Sequence, residues 1–139
     1  MPGQPGGGPV SDFDELRNLG QRYARAADER DVDALTALFH PDAVLVGARG
    51  TQTLDAWLES MRAPRTFPSS MHVLGDPLIT LDEAGGSGTL DTYAVVYQLG
   101  DAAAGQKDLT LGIRYLDDVV RHEGRWVIRH REARTLWTR

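Results

Sequence analysis

Residues 23–46, YARAADERDVDALTALFHPDAVLV, contain the changes of structure around which the chain is organised. The stretch begins with the end of one helix, which has apolar residues at helical spacing. An acidic segment follows at residues 28–33. A second set of apolar residues at helical spacing then includes Leu35, Leu38 and Phe39. Pro41 then stops the helix, because the residue before a proline avoids helical backbone angles. Residues 43–46 are apolar and β-prone. The stretch therefore predicts helix, corner, helix and strand in that order.

The helix that precedes this stretch is expected to begin at Ser11. Serine is a favourable N-cap, and Asp12, Asp14 and Glu15 place negative charge in the first turn, where the helix dipole favours it. Residues 1–10 (MPGQPGGGPV) are rich in glycine and proline and have nothing to bury, so we expect a disordered tail there. Residues 11–139 are expected to form a single domain.

After the stretch, the pattern changes from helices to strands. Asp31 and Thr53 are favourable N-caps, for the second helix and for a third helix over residues 54–62. Strands are predicted at residues 70–81 (with a break at 75–77), 88–99, 107–121 and 125–137, and turn-forming sequences separate them. Consecutive strands that are joined by short turns pair antiparallel.

These elements predict an α+β fold: a cone-shaped α+β barrel, in which three N-terminal helices wrap the concave side of a strongly curved antiparallel sheet. Such a cone encloses more space than ordinary side chains fill, so a pocket is expected on the concave side. The apolar wall of the pocket is predicted to include Trp57, Met61, Tyr97, Tyr115 and Trp137.

Composition excludes several classes of function. The 139 residues include no cysteine, so disulfides, thiolate metal sites and cysteine nucleophiles are excluded. A formal net charge of −5 and a pI of about 5.3 argue against a nucleic-acid partner, since nucleic-acid affinity depends on neutralising phosphates. No apolar run is long enough for a membrane span, and no secretion signal is present. We expect a cytoplasmic protein.

His72 is the most informative candidate for chemistry, because it lies in a β-prone run directly after a loop of proline and serine. Histidine is the side chain best suited to move protons near neutral pH. Asp28 could orient such a histidine and stabilise its protonated form, as the acid of a catalytic triad does. Two plainer interpretations stay open: a hydrogen-bonded structural histidine, and a solvated carboxylate near a helix end.

Tyr23 and Arg131 are the other candidate catalytic residues. Tyr23 lies on the apolar helix face, so it is either a core residue or a proton donor to a substrate oxygen. Strand alternation places Arg131 on one face with Val127, and His130 on the other with Trp126. An inward arginine would stabilise an oxyanion, whereas an outward one would belong to a solvated edge. A bulge would exchange the faces and bring His130 into the pocket.

Metal and phosphate sites are not predicted. His40, His72, His122 and His130 do not have the spacing of metal ligands. The glycines at residues 85–88 lead into a strand and form a hairpin turn, whereas a phosphate-binding loop leads into a helix. We expect no cofactor.

The order of these elements resembles the SnoaL-like branch of the nuclear transport factor 2-like superfamily. The resemblance covers nearly the whole chain from Ser11 onward. It is carried by YARAAD at residues 23–28, LTALFHPDAV at 35–44, MH at 71–72 with GDPLI at 75–79, GIRY at 112–115, and GRWVIRHR at 124–131.

Within that superfamily the pattern is similar to dehydratase-type members such as scytalone dehydratase, hexachlorocyclohexane dehydrochlorinase and bile-acid 7α-dehydratase. The resemblance implies an Asp–His pair in which the histidine is the base of an elimination. Tyr23 lies five residues before Asp28, His72 lies in the matching strand, and Arg131 lies in the matching place after Trp126. The resemblance also implies a homodimer formed through the uncovered face of the sheet.

These observations predict a cofactor-independent lyase or isomerase that acts on a hydrophobic cyclic carbonyl compound, such as a steroid or a polyketide. His72 would remove a proton next to the carbonyl while Asp28 fixes its tautomer, and Tyr23 and Arg131 would hold the oxygen. Two alternatives stay open: an aldol-type polyketide cyclase, and a non-catalytic module for small-molecule binding or dimerisation.

Overall fold

The computed structural model describes residues 11–82 and 84–139. The tail predicted at residues 1–10 lies outside the described residues. The helices are α1 (Asp12–Glu29), α2 (Val32–Ala37) and α3 (Leu54–Arg62). The strands are β1 (Phe39–Gly47), β2 (Gly50–Thr53), β3 (Ser69–Leu74), β4 (Leu78–Leu81), β5 (Ser87–Leu99), β6 (Leu109–His122) and β7 (Arg125–Thr138), with one 3-10 turn at Ala102–Ala104.

All three helices begin at the caps that the sequence predicts. The side-chain oxygens of Ser11, Asp31 and Thr53 each accept a hydrogen bond from the backbone N–H three residues later, at 3.1, 3.1 and 3.2 Å. Such a cap typically contributes about 1 kcal/mol relative to alanine, because it satisfies a backbone donor that has no partner within the helix. The predicted bounds of α3 are confirmed at both ends.

The second helix ends earlier than Pro41. It stops at Ala37, and β1 begins at Phe39 and contains the proline. β1 and β7 pair at Phe39 and again at Val44, with an irregularity between them. Pro41 fits in that irregularity because it has no N–H to donate to a neighbouring strand. The N–H of Asp42 is satisfied locally, by His40 Nδ1 at 3.0 Å.

The seven strands form one sheet in the order β2-β1-β7-β6-β5-β3, and β4 also pairs with β5. The predicted break at residues 75–77 is confirmed, since β3 and β4 follow each other along the same side of β5. The prediction of a wholly antiparallel sheet is wrong at one place, because β1 and β7 pair parallel. A long stretch of chain connects these two strands, so no short turn forces them to be antiparallel.

The sheet is curved but does not close. Within the described residues, β2 ends one edge and β3 and β4 the other, so the cone is an open one and not a complete barrel. The three helices cover the concave face, and the α+β cone predicted from the sequence is confirmed in this open form.

Side chains alternate between the two faces of the sheet. On the concave face of β5 and β6, Leu90, Ala94, Tyr115 and Val119 are buried against α1, which crosses this face and contacts β3. The opposite face is apolar but exposed, with these large side chains in contact with solvent: Met71, Val73, Tyr93, Tyr97, Leu99 and Trp137.

Two residues predicted to line the pocket therefore lie on the outer face. Tyr97 follows the inward-facing Val96 and so points outward, where it is partly exposed. The ring of Trp137 lies over Gly112, so close that an added Cβ at Gly112 would be 2.2 Å from the ring. Only glycine leaves room for this contact. The predictions for Tyr97 and Trp137 were wrong because apolar character alone does not distinguish the two faces of an apolar sheet.

Candidate active site

Asp28 lies in the last turn of α1, and its carboxylate joins the end of that helix to β3. The carboxylate accepts hydrogen bonds from the His72 backbone N–H at 2.9 Å and the Ser70 hydroxyl at 2.9 Å, and it lies 2.6 Å from His72 Nδ1. The side chains of His72 and Asp28 are 11% and 21% exposed. The two residues that the sequence predicts to pair are therefore in direct contact.

The contact with Asp28 determines which form of the His72 ring is favoured. A carboxylate accepts hydrogen bonds, so it favours the tautomer with the proton on Nδ1 and leaves Nε2 as a free acceptor. Burial lowers the pKa of His72 below its ordinary 6.5, and Asp28 opposes this lowering through its hydrogen bond and its charge. The positive charges of Arg131 and Arg30 lower the pKa of His72 further. The ring is therefore mostly neutral at pH 7.

Arg65 also holds this junction, although sequence reasoning did not identify it. Its guanidinium donates to the Asp28 carbonyl oxygen at 2.9 Å, to the Ser70 hydroxyl at 3.2 Å and to the Phe67 carbonyl oxygen at 3.0 Å. Arg65 thus fixes the loop that leads into β3 against the end of α1. Arg65 lies in a loop between two prolines, where the sequence has no helix or strand periodicity, so this role could not be predicted.

Arg131 is buried in the core beside a buried acid. Arg131 Nε and Nη2 donate to the two carboxylate oxygens of Asp117 at 2.7 and 3.0 Å, and the two side chains are only 4% and 2% exposed. Burial disfavours the charge on Arg131, but the nearby carboxylate of Asp117 outweighs that effect and raises the pKa of Arg131 above its ordinary value. Sequence reasoning missed Asp117, although it shares the inward face of its strand with Tyr115.

One nitrogen of the Arg131 guanidinium, Nη1, makes no hydrogen bond to Asp117. The guanidinium carbon lies 4.1 Å from the ring centre of Tyr23 and 4.2 Å from that of Tyr115, so the cation is held between two aromatic rings. Among the described residues, Nη1 has no hydrogen-bond partner. A buried donor without a partner costs about 1–3 kcal/mol, so an acceptor oxygen placed beside Nη1 would stabilise this part of the core.

A β-bulge places Arg131 in the core. Asp118 pairs with His130 and Val119 pairs with Ile128, so Arg129 is an extra residue in β7. Ile128 faces the core, and the extra residue brings Arg131 onto that same face. Of the two positions that the sequence left open for Arg131, the structure shows the inward one, and strict alternation does not hold along β7. The bulge was expected to bring His130 into the pocket, whereas it brings Arg131 inward.

A cavity of about 280 Å³ opens beside these residues. Five of the predicted site residues line it: Tyr23, Trp57, Met61, Tyr115 and Arg131. Its other lining residues are Arg30, Leu45, Val46, Gly47, Ala48, Arg49, Gln52, Ser60 and Ala133. Burial raises the pKa of Tyr115 well above its ordinary value, and the neighbouring Tyr23 contributes to the increase.

His72 lies next to the cavity but is not among its lining residues. Its ring makes an edge contact with the ring of Tyr23, with centres 5.9 Å apart, and Tyr23 in turn stacks on Trp57 at 6.4 Å. Tyr23 is therefore the side chain that links His72 to the cavity.

A second, larger groove lies on the other side of α1. It has a volume of about 640 Å³ and lies between α1, α2 and the turn from β6 to β7. None of the four predicted catalytic residues lines it. Across residues 11–82 and 84–139, no group of three or more histidine, aspartate or glutamate side chains could hold a metal ion. In the same residues, no helix is long and apolar enough to cross a membrane.

Comparison with known proteins identifies the family. The SnoaL-like domain matches residues 9–132, which is most of the chain. The chain belongs to the SnoaL-like family. The uncharacterized protein Rv2910c of Mycobacterium tuberculosis is 30% identical over 132 residues, covering 90% of this chain and 86% of that protein, and Mb2934c of Mycobacterium bovis matches to the same extent.

Several solved structures share the fold of this SnoaL-like chain, and one of them is a nuclear transport factor 2-like superfamily protein. A proposed scytalone dehydratase from Novosphingobium aromaticivorans has a TM-score of 0.80 at 21% identity, covering 90% of this chain and 84% of that one. A type 2 hexachlorocyclohexane dehydrochlorinase has a TM-score of 0.77 at 12% identity, covering 90% and 85%. A superfamily member from Salmonella enterica has a TM-score of 0.77 at 18% identity, covering 88% and 89%. The resemblance predicted from the sequence is thus confirmed at the level of family and fold.

The buried pair of Arg131 and Asp117 gives a prediction for stability. Asp117→Ala leaves the arginine charged, buried and without a counter-ion, so we expect the free energy of unfolding to fall by about 3–5 kcal/mol. Asp91→Ala is the matched control, because Asp91 makes the same two-bonded contact with Arg114 on the exposed face. Denaturant unfolding of both variants measures the difference, and equal small losses would contradict this account of the buried pair.

Proposed function

We propose that this SnoaL-like protein is a cofactor-independent lyase or isomerase for a hydrophobic cyclic carbonyl compound. The observation that carries the proposal is the His72–Asp28 contact at 2.6 Å, beside an aromatic cavity that contains a buried arginine with a free donor. A neutral histidine supplies a base, and the arginine supplies a positive charge that no change of pH near neutrality removes.

In the proposed reaction, His72 removes a proton from the carbon next to the carbonyl group. Its Nδ1 is occupied by Asp28, so Nε2 takes the proton while the carbon–hydrogen electron pair moves to form an enolate. The Asp28 carboxylate stabilises the imidazolium that results, as the acid of a catalytic triad does. A positioned base typically contributes about 10²–10⁴-fold to the rate.

Arg131 and Tyr23 then stabilise the negative charge on the enolate oxygen. Arg131 Nη1 is buried and without a protein partner, so it can donate to this oxygen without giving up another hydrogen bond. In an elimination, the enolate expels a hydroxide, which leaves as water with the proton from His72. In an isomerisation, His72 returns the proton to a different carbon and the double bond moves.

The cavity volume favours the smaller molecules of the proposed class. Pockets for drug-sized ligands measure about 300–1,000 Å³. The cavity of about 280 Å³ is slightly smaller than that range, so a compound of one or two rings fits the proposal better than a steroid does.

The position of His72 supports a second candidate function, a module that binds small molecules without catalysis. His72 lies behind Tyr23, and the Asp28 carboxylate also bonds to Ser70 and to the backbone of His72, as a purely structural acid would. One fold can carry different functions, so catalysis has to be tested directly. An aldol-type cyclase would use the same enolate but form a ring.

Hydrogen exchange separates catalysis from binding. We expect the protein to exchange the α-hydrogens of a small cyclic enone with deuterium from the solvent, measured by proton NMR. His72→Gln should slow the exchange by about 10²–10⁴-fold, because the base is lost. Asp28→Asn should slow it less, since the base remains but its orientation and its charge partner are weakened.

Circular dichroism is the control in this experiment, and both variants should keep the far-UV spectrum of the unchanged protein. If exchange is equally fast in the unchanged protein and in both variants, His72 is not the base. Binding of enones without any exchange would favour the non-catalytic module.

The pH dependence of the exchange follows from the environment of His72. Because burial lowers the pKa of His72 below 6.5, the unprotonated base is present at pH 7 and is lost as the pH falls through that lowered pKa. The rate should therefore rise with pH, with a midpoint below pH 6.5. Asp28→Asn removes the group that raises the pKa, so the rise should move to still lower pH. A midpoint above pH 7 would contradict the lowered pKa.

We further propose that the outer face of the sheet forms a homodimer. The exposed apolar side chains on this face form the kind of patch that marks a protein interface. Val73 is 47% exposed within the patch, and Phe13 is 45% exposed on α1, outside it. Val73→Glu should give a monomer in sedimentation experiments because it buries a charge at the interface, while Phe13→Glu should remain a dimer. If the unsubstituted protein is already a monomer, the proposal is refuted.

A further inference from the structure

The cavity has a marked excess of positive charge. Three of its lining residues are arginines, Arg30, Arg49 and Arg131, and none of its lining residues is acidic. The whole chain has a formal net charge of −5, so an average surface would show the opposite sign. The charge of this cavity therefore differs from that of the protein as a whole.

The three arginines lie at different depths. Arg131 is buried at the inner end and is paired with Asp117, whereas Arg49 is exposed in the turn between β1 and β2, and Arg30 is half-buried at the end of α1. Arg30 donates to the Met61 carbonyl oxygen at 3.3 Å, which directs it towards α3 and the cavity. Two cations therefore flank the mouth, and the third lies inside.

The two cations at the mouth have no acidic partner. Within the described residues, neither Arg30 nor Arg49 takes part in an ion pair. Burial lowers the pKa of Arg30, and the like charges of Arg65 and Arg49 lower it further, which shows that several cations lie close together here. Like charges repel, so a bound negative group would stabilise this arrangement.

The backbone at Arg30 supports the same conclusion. Arg30 has φ 54°, in the left-handed region, where it ends α1. Glycine is the usual residue at such a position because a side chain is disfavoured there. An arginine at this position therefore stabilises the end of the helix less well than a glycine would. Its side chain, however, reaches the mouth of the cavity.

We propose that the substrate carries an anionic group, a carboxylate or a phosphate, at the end opposite its carbonyl group. Arg30 and Arg49 bind the anion at the mouth, and Arg131 and Tyr23 receive the carbonyl oxygen inside. A guanidinium group can donate two parallel hydrogen bonds to two oxygens of a carboxylate or of a phosphate. This inference rests on the proposed function for the carbonyl end, but the charge preference at the mouth can be tested without any reaction.

Three naphthalene probes that differ in their polar group test the charge preference by calorimetry. The probes are 2-naphthoate, 2-naphthyl phosphate and the neutral 2-naphthamide. We expect at least one anion to bind tenfold or more tightly than the amide in 50 mM salt, and the more tightly bound anion identifies the group. The preference should shrink as salt is added, because the mouth is open to solvent.

Two double variants with the same change in charge locate the effect. Arg30→Gly with Arg49→Gln should remove the preference for the anion and leave the affinity for naphthamide within twofold. Arg22→Gln with Arg25→Gln removes the same charge from the groove on the other side of α1 and should leave the preference intact. Arg30→Gly relieves the left-handed backbone, so its melting temperature should be unchanged or higher, and unfolding cannot explain lost binding.

Equal affinity for the anions and the amide would overturn the inference, as would equal losses in the two double variants. Neither of these two results would contradict the proposed reaction, provided that hydrogen exchange of the enone still depended on His72. Conversely, a clear anion preference without any enone exchange would keep the anionic ligand and remove the reaction.

Discussion

The hydrogen bonds of one carboxylate, that of Asp28, fix the relation between the helices and the sheet. An acid in the last turn of a helix opposes the helix dipole, at a cost of about 0.3–1 kcal/mol. Each hydrogen bond to a charged group contributes about 1.5–3 kcal/mol, and Asp28 accepts them from Ser70 and from both the backbone and the ring of His72. The gain therefore exceeds the cost. The same contacts that attach α1 to β3 also fix the orientation of His72, so the structural and the proposed chemical roles of Asp28 are inseparable.

A second buried charge complements the first. Arg131 is charged although it is buried, and Asp117 stabilises that charge, which in turn helps to keep His72 neutral. A neutral base and a permanent cation near the same aromatic ring, that of Tyr23, are the two components that proton removal next to a carbonyl needs. One inserted residue, Arg129, makes this arrangement possible, since without the bulge the guanidinium would point away from the core.

The sequence predicted the parts of this structure that depend on local signals. Caps, turns and the break between β3 and β4 depend on a few neighbouring residues, and those predictions are confirmed. The parallel pairing of β1 and β7 and the bulge at Arg129 depend on contacts between distant segments, which leave no periodic pattern. For the same reason Arg65 and Asp117 were missed, and Tyr97 and Trp137 were placed on the wrong face. The spacing of Tyr23 and Asp28 became informative only through the resemblance to a family.

We propose that His72 is a neutral ring with its proton on Nδ1, held there by Asp28, and that Nε2 is free to accept a proton. Nitrogen-15 NMR of the histidine ring reports both the charge and the tautomer. At pH 7 we expect the His72 spectrum of a neutral ring that carries its proton on Nδ1, and in Asp28→Asn this tautomer should lose its predominance. A charged ring at pH 7, or a neutral ring with its proton on Nε2, would contradict the account.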